Sequence, residues 1–431
     1  MITNARCKTV FSSIALAMAL LVLPASAATA PDPLPDPDGK PADMSKPVQV
    51  FILLGQSNML GAGKIAGDKD GTLEHAVKTK KKYPYLVDDA GSWTERKDVR
   101  YVRVMGSGTG SMKQFNNEWM SMEGEKRIGP EFGIGHYVGH AVDAPVMILK
   151  SCIGNRSLGW DLLPPGSESF EFEDKGKVWI YAAYKQSPMR WEKGTEPKPM
   201  GWYAGMQYDG DTANAKTVLA NLANYYPGAK GFEVAGFFFW QGDKDRYDAG
   251  LASRYELNLV HFIKTLRKDF NAPNAKFVCA TLGQTKKGAG GNEGKILEAQ
   301  FAVDGRSGKY PEFKGNVACV YSNPFCHGGA SNSHYGGNAE TYMDTGEAMG
   351  RAMAALLSQT NAGAAAARPV DDKKAKILDQ NLTRRLTMAK NYLKNGSTTN
   401  ARRILTDLAK KWPDTPQGKE ATQLLEAAAG N

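Results

Sequence analysis

The sequence predicts an α/β fold, a largely parallel sheet with helices on both faces, and three observations lead there. Short apolar runs without alternation recur at 48–54, 145–150, 234–240, 276–282 and 317–321, the pattern of strands covered on both sides. The stretches between them carry helical periodicity. It is clearest over 255–270, where Leu259, Phe262, Ile263 and Leu266 share one face, and a second helix is expected over 338–357. Polar motifs fall at the carboxyl ends of the runs, where open α/β sheets place their sites. Strands alternating with helices imply right-handed crossovers and about five parallel strands.

At the start of the chain, Arg6 and Lys8 precede an apolar run over 10–23 that closes with Pro24, Ala25, Ser26 and Ala27. This is the form of a signal peptide cleaved after Ala27, which makes the mature chain periplasmic or secreted. The run is shorter than the roughly 20 residues that span a bilayer, and no other run is long enough to cross one. Residues 28–46 are rich in Pro, Asp and Ala and lack apolar periodicity, so they read as a flexible leader. The main domain is expected over 47–358, an Ala-rich linker with Pro369 over 359–372, and a helical segment over 373–431.

The formal net charge is +9, and residues 371–431 hold twelve Lys and Arg against seven Asp and Glu. Basicity thus belongs to the tail, whose only aromatics are Tyr392 and Trp412. That is too little for a nucleic-acid surface, which needs a concentrated basic face with reading aromatics. In the tail, Leu382, Leu386, Ala389, Tyr392 and Leu393 are followed by a turn at Asn395 and Gly396. Ala401, Ile404, Leu405 and Leu408 then lead to Trp412 and Pro413. The order of small and large apolar residues resembles tetratricopeptide repeats. One and a half repeats bury little alone, so the tail is expected either to pack on the main domain or to take a protein partner.

Cys152, Cys279, Cys319 and Cys326 follow the signal, and none has C-x-x-C spacing. Cys319 and Cys326 joined as a disulfide would clip the loop that follows, while buried free thiols are the alternative. No group of His, Asp and Glu has metal-ligand spacing, so neither metal nor cofactor is expected.

Chemistry concentrates at Gly55, Gln56, Ser57, Asn58 and Met59, directly after the first run. A serine on a tight turn at a strand end becomes a nucleophile when a base takes its proton, and Gly55 supplies the room to turn. Further motifs follow in order: Gly129 to Gly133 (GPEFG), Lys150 to Leu158 (KSCIGNRSL), Phe239 to Asp243 (FWQGD), Gln300, then Ser333, His334 and Tyr335, with Gly346 and Gly350 beyond.

Together these motifs resemble the sialate O-acetylesterase and acetylxylan esterase group of the SGNH hydrolases, over about 48–357. The resemblance implies a three-layer, flavodoxin-like α/β/α fold and hydrolysis of acetylated carbohydrate through an acyl-enzyme, with Ser57 as nucleophile and His334 as its base. It also implies an oxyanion hole made by the N–H groups of Ser57 and Gly154 with the side chain of Gln241. Gln56, Asn58, Glu131, Asn155 and Arg156 are then substrate-binding. For Gln241 the alternative is a strand-end hydrogen bond to backbone. A carbohydrate-binding or scaffold protein that keeps the fold without turnover is the competing reading of the whole chain. His136, His140 and His261 lie on expected helices and read as packing or surface groups.

Two departures from the group stand out. Many SGNH enzymes carry an Asp three residues before the histidine, where this chain has Ser331. An acid from the QGE-type motif then falls to Asp243, with Asp245 and Asp344 as fallbacks and a brace to Lys244 or Arg246 as the alternative role. Arg156 stands where the group has a second glycine. A cation there would favour anionic sugars, unless it bridges to a local carboxylate.

Segments 64–126 and 164–215 do not fit the alternation and read as long loops over the site. They hold Trp93, Trp119, Trp179, Trp191 and Trp202, faces suited either to sugar stacking or to ordinary packing.

Overall fold

The computed structural model describes Leu34 and residues 37–365, 372–394, 397–413 and 415–427. The signal sequence expected over 1–27 and the turn at Asn395 and Gly396 lie outside the described residues. The chain divides into two compact units, Met1–Ala362 and Gly363–Asn431.

The first unit is built on a seven-stranded sheet: β1 (Val48–Gly55), β2 (Glu95–Met105), β3 (Lys113–Ser121), β4 (Val146–Ser151), β5 (Phe232–Trp240), β6 (Lys276–Ala280) and β7 (Val317–Val320). Their order is β7-β6-β5-β1-β4-β2-β3, with β3 alone antiparallel. All five expected strands are present. β1 is central and fully buried, and its side chains alternate between two cores. Phe51 and Leu53 join the core that contains Phe132, Ile134 and Tyr137 of α2 (Glu131–Ala141) and Met343, Met349 and Met353 of α6 (Ala339–Ala365). Val50, Ile52 and Leu54 join the opposite core with residues of α3 (Met206–Ala220), α4 (Ala249–Asp269) and α5 (Gly291–Ala302). An apolar residue at every position of a strand is what a sheet sandwiched between two helical layers requires.

Segment 64–126 proves not to be a long loop, since it supplies β2 and β3 at one edge of the sheet. In β2, which lies between β4 and the edge strand β3, Arg96, Arg100 and Arg103 interrupt the buried apolar residues Val99, Tyr101, Val102 and Val104. Segment 164–215 holds a three-stranded antiparallel sheet, Phe170–Asp174, Lys177–Tyr181 and Arg190–Glu192. α4 begins before the expected 255, because the side chain of Asp248 caps it by accepting from Leu251 N (3.0 Å). α6 continues through Ala365, into the stretch read as linker.

Glycines let α2 and α6 touch: a Cβ on Gly133 would lie 2.5 Å from Glu347 N. This accounts for Gly133 and Gly346 in physical terms, as close helix packing. Cys152, Cys279, Cys319 and Cys326 are free thiols, and the Cys319–Cys326 bridge is not formed. Among the described residues no helix is long and apolar enough to cross a membrane. The second unit comprises α7 (Asp372–Lys394), α8 (Thr398–Lys411) and α9 (Pro416–Ala427), with Leu382, Leu386, Ala389, Ile404, Leu405, Leu408 and Ala421 as its core.

Candidate active site

β1 ends at Gly55, whose φ of +146° and close approach to β5 admit no side chain: a Cβ would lie 2.5 Å from Trp240 O. The chain then turns into α1 (Ser57–Leu60), a single helical turn whose N-cap residue, Gln56, makes no side-chain capping bond. As the first helical residue, Ser57 has an N–H with no partner inside the helix. Its side chain is partly exposed at the carboxyl edge of the sheet, while Gln56 and Asn58 on either side are buried.

His334 arrives on a loop in which His334, Tyr335 and Gly336 all have positive φ (52°, 51° and 63°). Left-handed backbone at two non-glycine residues needs strong local support, and Tyr335 provides it. Its ring is fully buried and stacks on Trp240 at 5.8 Å, and its hydroxyl accepts from Gly283 N (3.2 Å). The same hydroxyl accepts from Asn58 Nδ2 (3.5 Å). The Tyr342 hydroxyl lies 3.5 Å from Asn58 Oδ1 and 3.3 Å from the His334 carbonyl. The residue after Ser57 is thus bonded to the residue after His334, and Tyr342 bridges the two segments.

Asp243, 8% exposed, reaches the histidine loop through Ser331, whose hydroxyl donates to Asp243 Oδ1. Arg246 Nε donates to the same oxygen (2.8 Å). Both bonds fall on Oδ1. Among the described residues no hydrogen bond joins the Ser57 hydroxyl, the His334 ring and the Asp243 carboxylate directly. The fallback acids lie elsewhere. Asp344 is bonded to Tyr83 and Lys82. Asp245 is fully buried, where it accepts from Leu158 N and Gly159 N (2.9 Å each). Burial pushes its carboxyl up to about 6, with the bonds from Gln241, Gly159 and Leu158 opposing.

Gly154 faces Ser57, and a Cβ there would lie 3.3 Å from Ser57 Cβ. Asn155 beside it is exposed, with φ of 57°. Gln241, at the end of β5, is 1% exposed, and its two amide hydrogens have three acceptors: Gln56 Oε1 (3.1 Å), Arg156 O (2.9 Å) and Asp245 Oδ2 (2.6 Å). Tyr255 donates to its Oε1 (2.8 Å), and Gln300 Nε2 donates to its carbonyl (2.9 Å). Gln241 therefore ties the serine turn to the Gly154 loop, which includes the backbone bond that the sequence left open as its alternative role.

Glu131 is 2% exposed and faces inward. Its Oε2 pairs with the fully buried Lys150 Nζ (2.5 Å), and its Oε1 accepts from Gly129 N (3.0 Å). Lys150 also donates to Leu60 O (3.0 Å), the end of α1. The buried pair thereby braces the end of the helical turn that begins at Ser57. Arg156 is half-buried at the cleft edge with its guanidinium over the Trp202 ring (4.8 Å). Trp119 packs edge-on to Tyr226, and Trp179 lies under Arg190. His136 is buried against Tyr85, and burial holds its imidazole well below the usual range. His261 lies 2.8 Å from Pro165 O.

Sequence reasoning did not single out Lys150, Tyr335 or Tyr342 as supports of the site. All three sit inside or beside recognised motifs, but their roles depend on contacts across 90, 277 and 284 positions of the chain.

The class these elements define is a three-layer α/β protein with a serine turn at the carboxyl edge of its central strand. Residues 184–355 match the family model described as carbohydrate esterase, sialic acid-specific acetylesterase, and residues 385–415 match a tetratricopeptide repeat model. These matches meet the resemblance drawn from the motifs, and they support a carbohydrate esterase. No curated protein matches the chain. Among solved structures, a protein from Arabidopsis thaliana is similar at 16% identity and a TM-score of 0.40, over 72% of this chain and 98% of that one. A carbohydrate acetylesterase from Xanthomonas citri is similar at 13% identity and a TM-score of 0.43, over 72% of this chain and 56% of that one. A carbohydrate esterase family 2 enzyme with a carbohydrate-binding domain, from Corynascus thermopiles (Myceliophthora fergusii), is similar at 11% identity and a TM-score of 0.34. That match covers 74% of this chain and 68% of the other.

Proposed function

We propose that this chain is an exported serine esterase that removes O-acetyl groups from carbohydrate. The observation that carries the reading is the bonding of the Ser57 turn to the His334 loop through Asn58, Tyr335 and Tyr342. In this mechanism Ser57 Oγ attacks the ester carbonyl carbon while His334 takes its proton, and the proton passes to the sugar oxygen as it leaves. Water, deprotonated by His334, then attacks the acyl-enzyme; acetate leaves and Ser57 regains its proton. Asp243 orients the imidazole and stabilises the cation formed when it takes the proton. The N–H groups of Ser57 and Gly154 stabilise the oxyanion, each worth about 3 kcal/mol where well placed. Gln241 joins the hole as the tie that holds the Arg156 carbonyl and hence the Gly154 loop. Export follows from the form of residues 1–27.

The test is release of acetate from p-nitrophenyl acetate and acetylated xylan, alongside labelling by a fluorophosphonate. Wild type is expected to turn over and to be labelled on Ser57, and Ser57→Ala to lose both. Equal rates in the two proteins, or an unlabelled Ser57, reject the reading in favour of a carbohydrate-binding protein without turnover.

A further inference from the structure

Arg156 differs in what holds it from Arg246, the arginine bonded to Asp243. Arg246 is paired with two carboxylates, those of Asp243 and Glu293. Arg156 is held by neutral acceptors only: Nε donates to Gln207 Oε1 (3.2 Å), Nη1 to Asn155 O (3.2 Å) and Nη2 to Ser107 Oγ (2.9 Å). Among the described residues no carboxylate forms an ion pair with it, so the bridge to a local carboxylate that the sequence left open is not made.

The support is rigid. Gln207 is fully buried and its amide nitrogen is fixed by Gly106 O (2.9 Å) and Asp211 Oδ1 (2.7 Å), so its oxygen is turned toward Gly108 N and Arg156. The guanidinium plane lies over Trp202, a stacking that a lysine would not reproduce. A guanidinium has five N–H groups. With three engaged, one remains on each terminal nitrogen, at the exposed end of the side chain.

Position gives this cation its meaning. Arg156 is two residues from Gly154, which lies against Ser57. Exposed Lys244, also without an ion pair among the described residues, stands beside the same turn, its backbone N–H on Gln56 Oε1 (3.3 Å). Two buried acids act on Arg156 through space without bonding to it: Asp161, which accepts from Ser157 N (2.8 Å) and Ser157 Oγ (2.9 Å), and Asp211, which accepts from Gln207 Nε2 (2.7 Å). A fixed fork with an N–H group left open on each terminal nitrogen, next to the reacting serine, matches a planar or tetrahedral oxyanion presented by the substrate.

We propose that Arg156, assisted by Lys244, anchors an anionic group of the sugar chain, a carboxylate or a sulfate ester, so that acidic acetylated carbohydrates are preferred over neutral ones. This inference rests on the esterase reading and names the substrate class of that site.

The experiment compares kcat/KM for acetate release from acetylated polygalacturonate, from the same polymer with its carboxylates methyl-esterified, from an acetylated sulfated galactan and from acetylated xylan. Proteins are wild type, Arg156→Gln and Arg156→Lys, each checked for an unchanged near-UV circular dichroism spectrum. Wild type is expected to favour the charged polymers by about 10- to 100-fold, the scale of one charge-assisted fork. The gain should reside in KM and shrink with added salt. Arg156→Gln should erase the preference and Arg156→Lys recover only part of it; which charged polymer is better identifies the anion. A wild type that releases acetate from all four at equal kcat/KM, or a preference that survives Arg156→Gln, overturns the anion site and leaves the esterase standing. Binding of galacturonate and of sulfated galactan oligosaccharides to Ser57→Ala, by calorimetry, separates the two failures. Binding lost on adding Arg156→Gln, in a protein whose wild type releases no acetate, sinks the esterase and keeps the anion site, whereas no binding in Ser57→Ala sinks the site.

Discussion

Ser331 donates its hydroxyl hydrogen to Asp243 Oδ1, joining the position three residues before His334 to the end of a strand 88 positions earlier. The serine that stands where many SGNH enzymes have an acid is thus the contact by which an acid from another strand reaches the histidine loop.

If Asp243 orients His334, Asp243→Asn should lower kcat by about 10²- to 10⁴-fold, since an amide can stabilise the wrong imidazole tautomer and supplies no charge. Ser331→Ala removes one bond but leaves the carboxylate held by Arg246, and should cost less than tenfold. Steady-state kinetics on p-nitrophenyl acetate decide the matter. Turnover in Asp243→Asn equal to wild type would take Asp243 out of the mechanism.

The Lys150–Glu131 pair makes a different prediction. With both groups buried, removing one leaves the other unpaired, so Lys150→Met should destabilise the protein by about 3–5 kcal/mol. The double variant Lys150→Met, Glu131→Leu leaves no buried charge and should recover much of that loss. Urea unfolding followed by tryptophan fluorescence measures both, and additive losses in the double variant would show that the two groups do not act as a pair.

Much of this arrangement was legible in the sequence because it is local. The five apolar runs became strands, and Gly55 and the serine turn fell at the end of β1, while the histidine motif fell on the loop between β7 and α6. What was not legible depends on distance or context. β2 escaped notice because Arg96, Arg100 and Arg103 interrupt its apolar pattern, although it lies inside the sheet between β4 and β3. Glu131 reads as a cleft residue from its motif, and only the approach of Lys150 from β4 shows it to be an internal ion. The start of α4 was misplaced for want of reading Asp248 as a cap.

Asp245 predicts a pH dependence. Its folded pKa of about 6 lies above the ordinary 3.8, because burial outweighs the N–H groups that favour the anion. The native state therefore holds a proton that the unfolded chain releases between about pH 4 and 6. The stability this group contributes is complete below about pH 4 and is lost as pH rises through 6, by about 3 kcal/mol in all. Asp245→Asn cannot titrate. Its stability relative to wild type should rise across that window, even though its absolute stability falls because an amide accepts fewer of the bonds from Leu158, Gly159 and Gln241. Urea midpoints at half-unit pH steps test this, and a constant difference between the two proteins from pH 4 to 7 would contradict it.

Gly55→Ala separates geometry from stability. The φ of +146° strains any side chain, and the added methyl would lie 2.5 Å from Trp240 O, the group that accepts the Gln56 N–H at 3.3 Å. Relief requires β1 and β5 to part at their ends, which carries the Ser57 hydroxyl away from a histidine loop anchored on Trp240 through Tyr335. A displacement near 1 Å at a reacting group costs about 10²-fold in rate. The folded variant should therefore keep its fluorophosphonate site while reacting about 10²-fold more slowly. Labelling at the wild-type rate would mean that the serine turn can shift without losing its base.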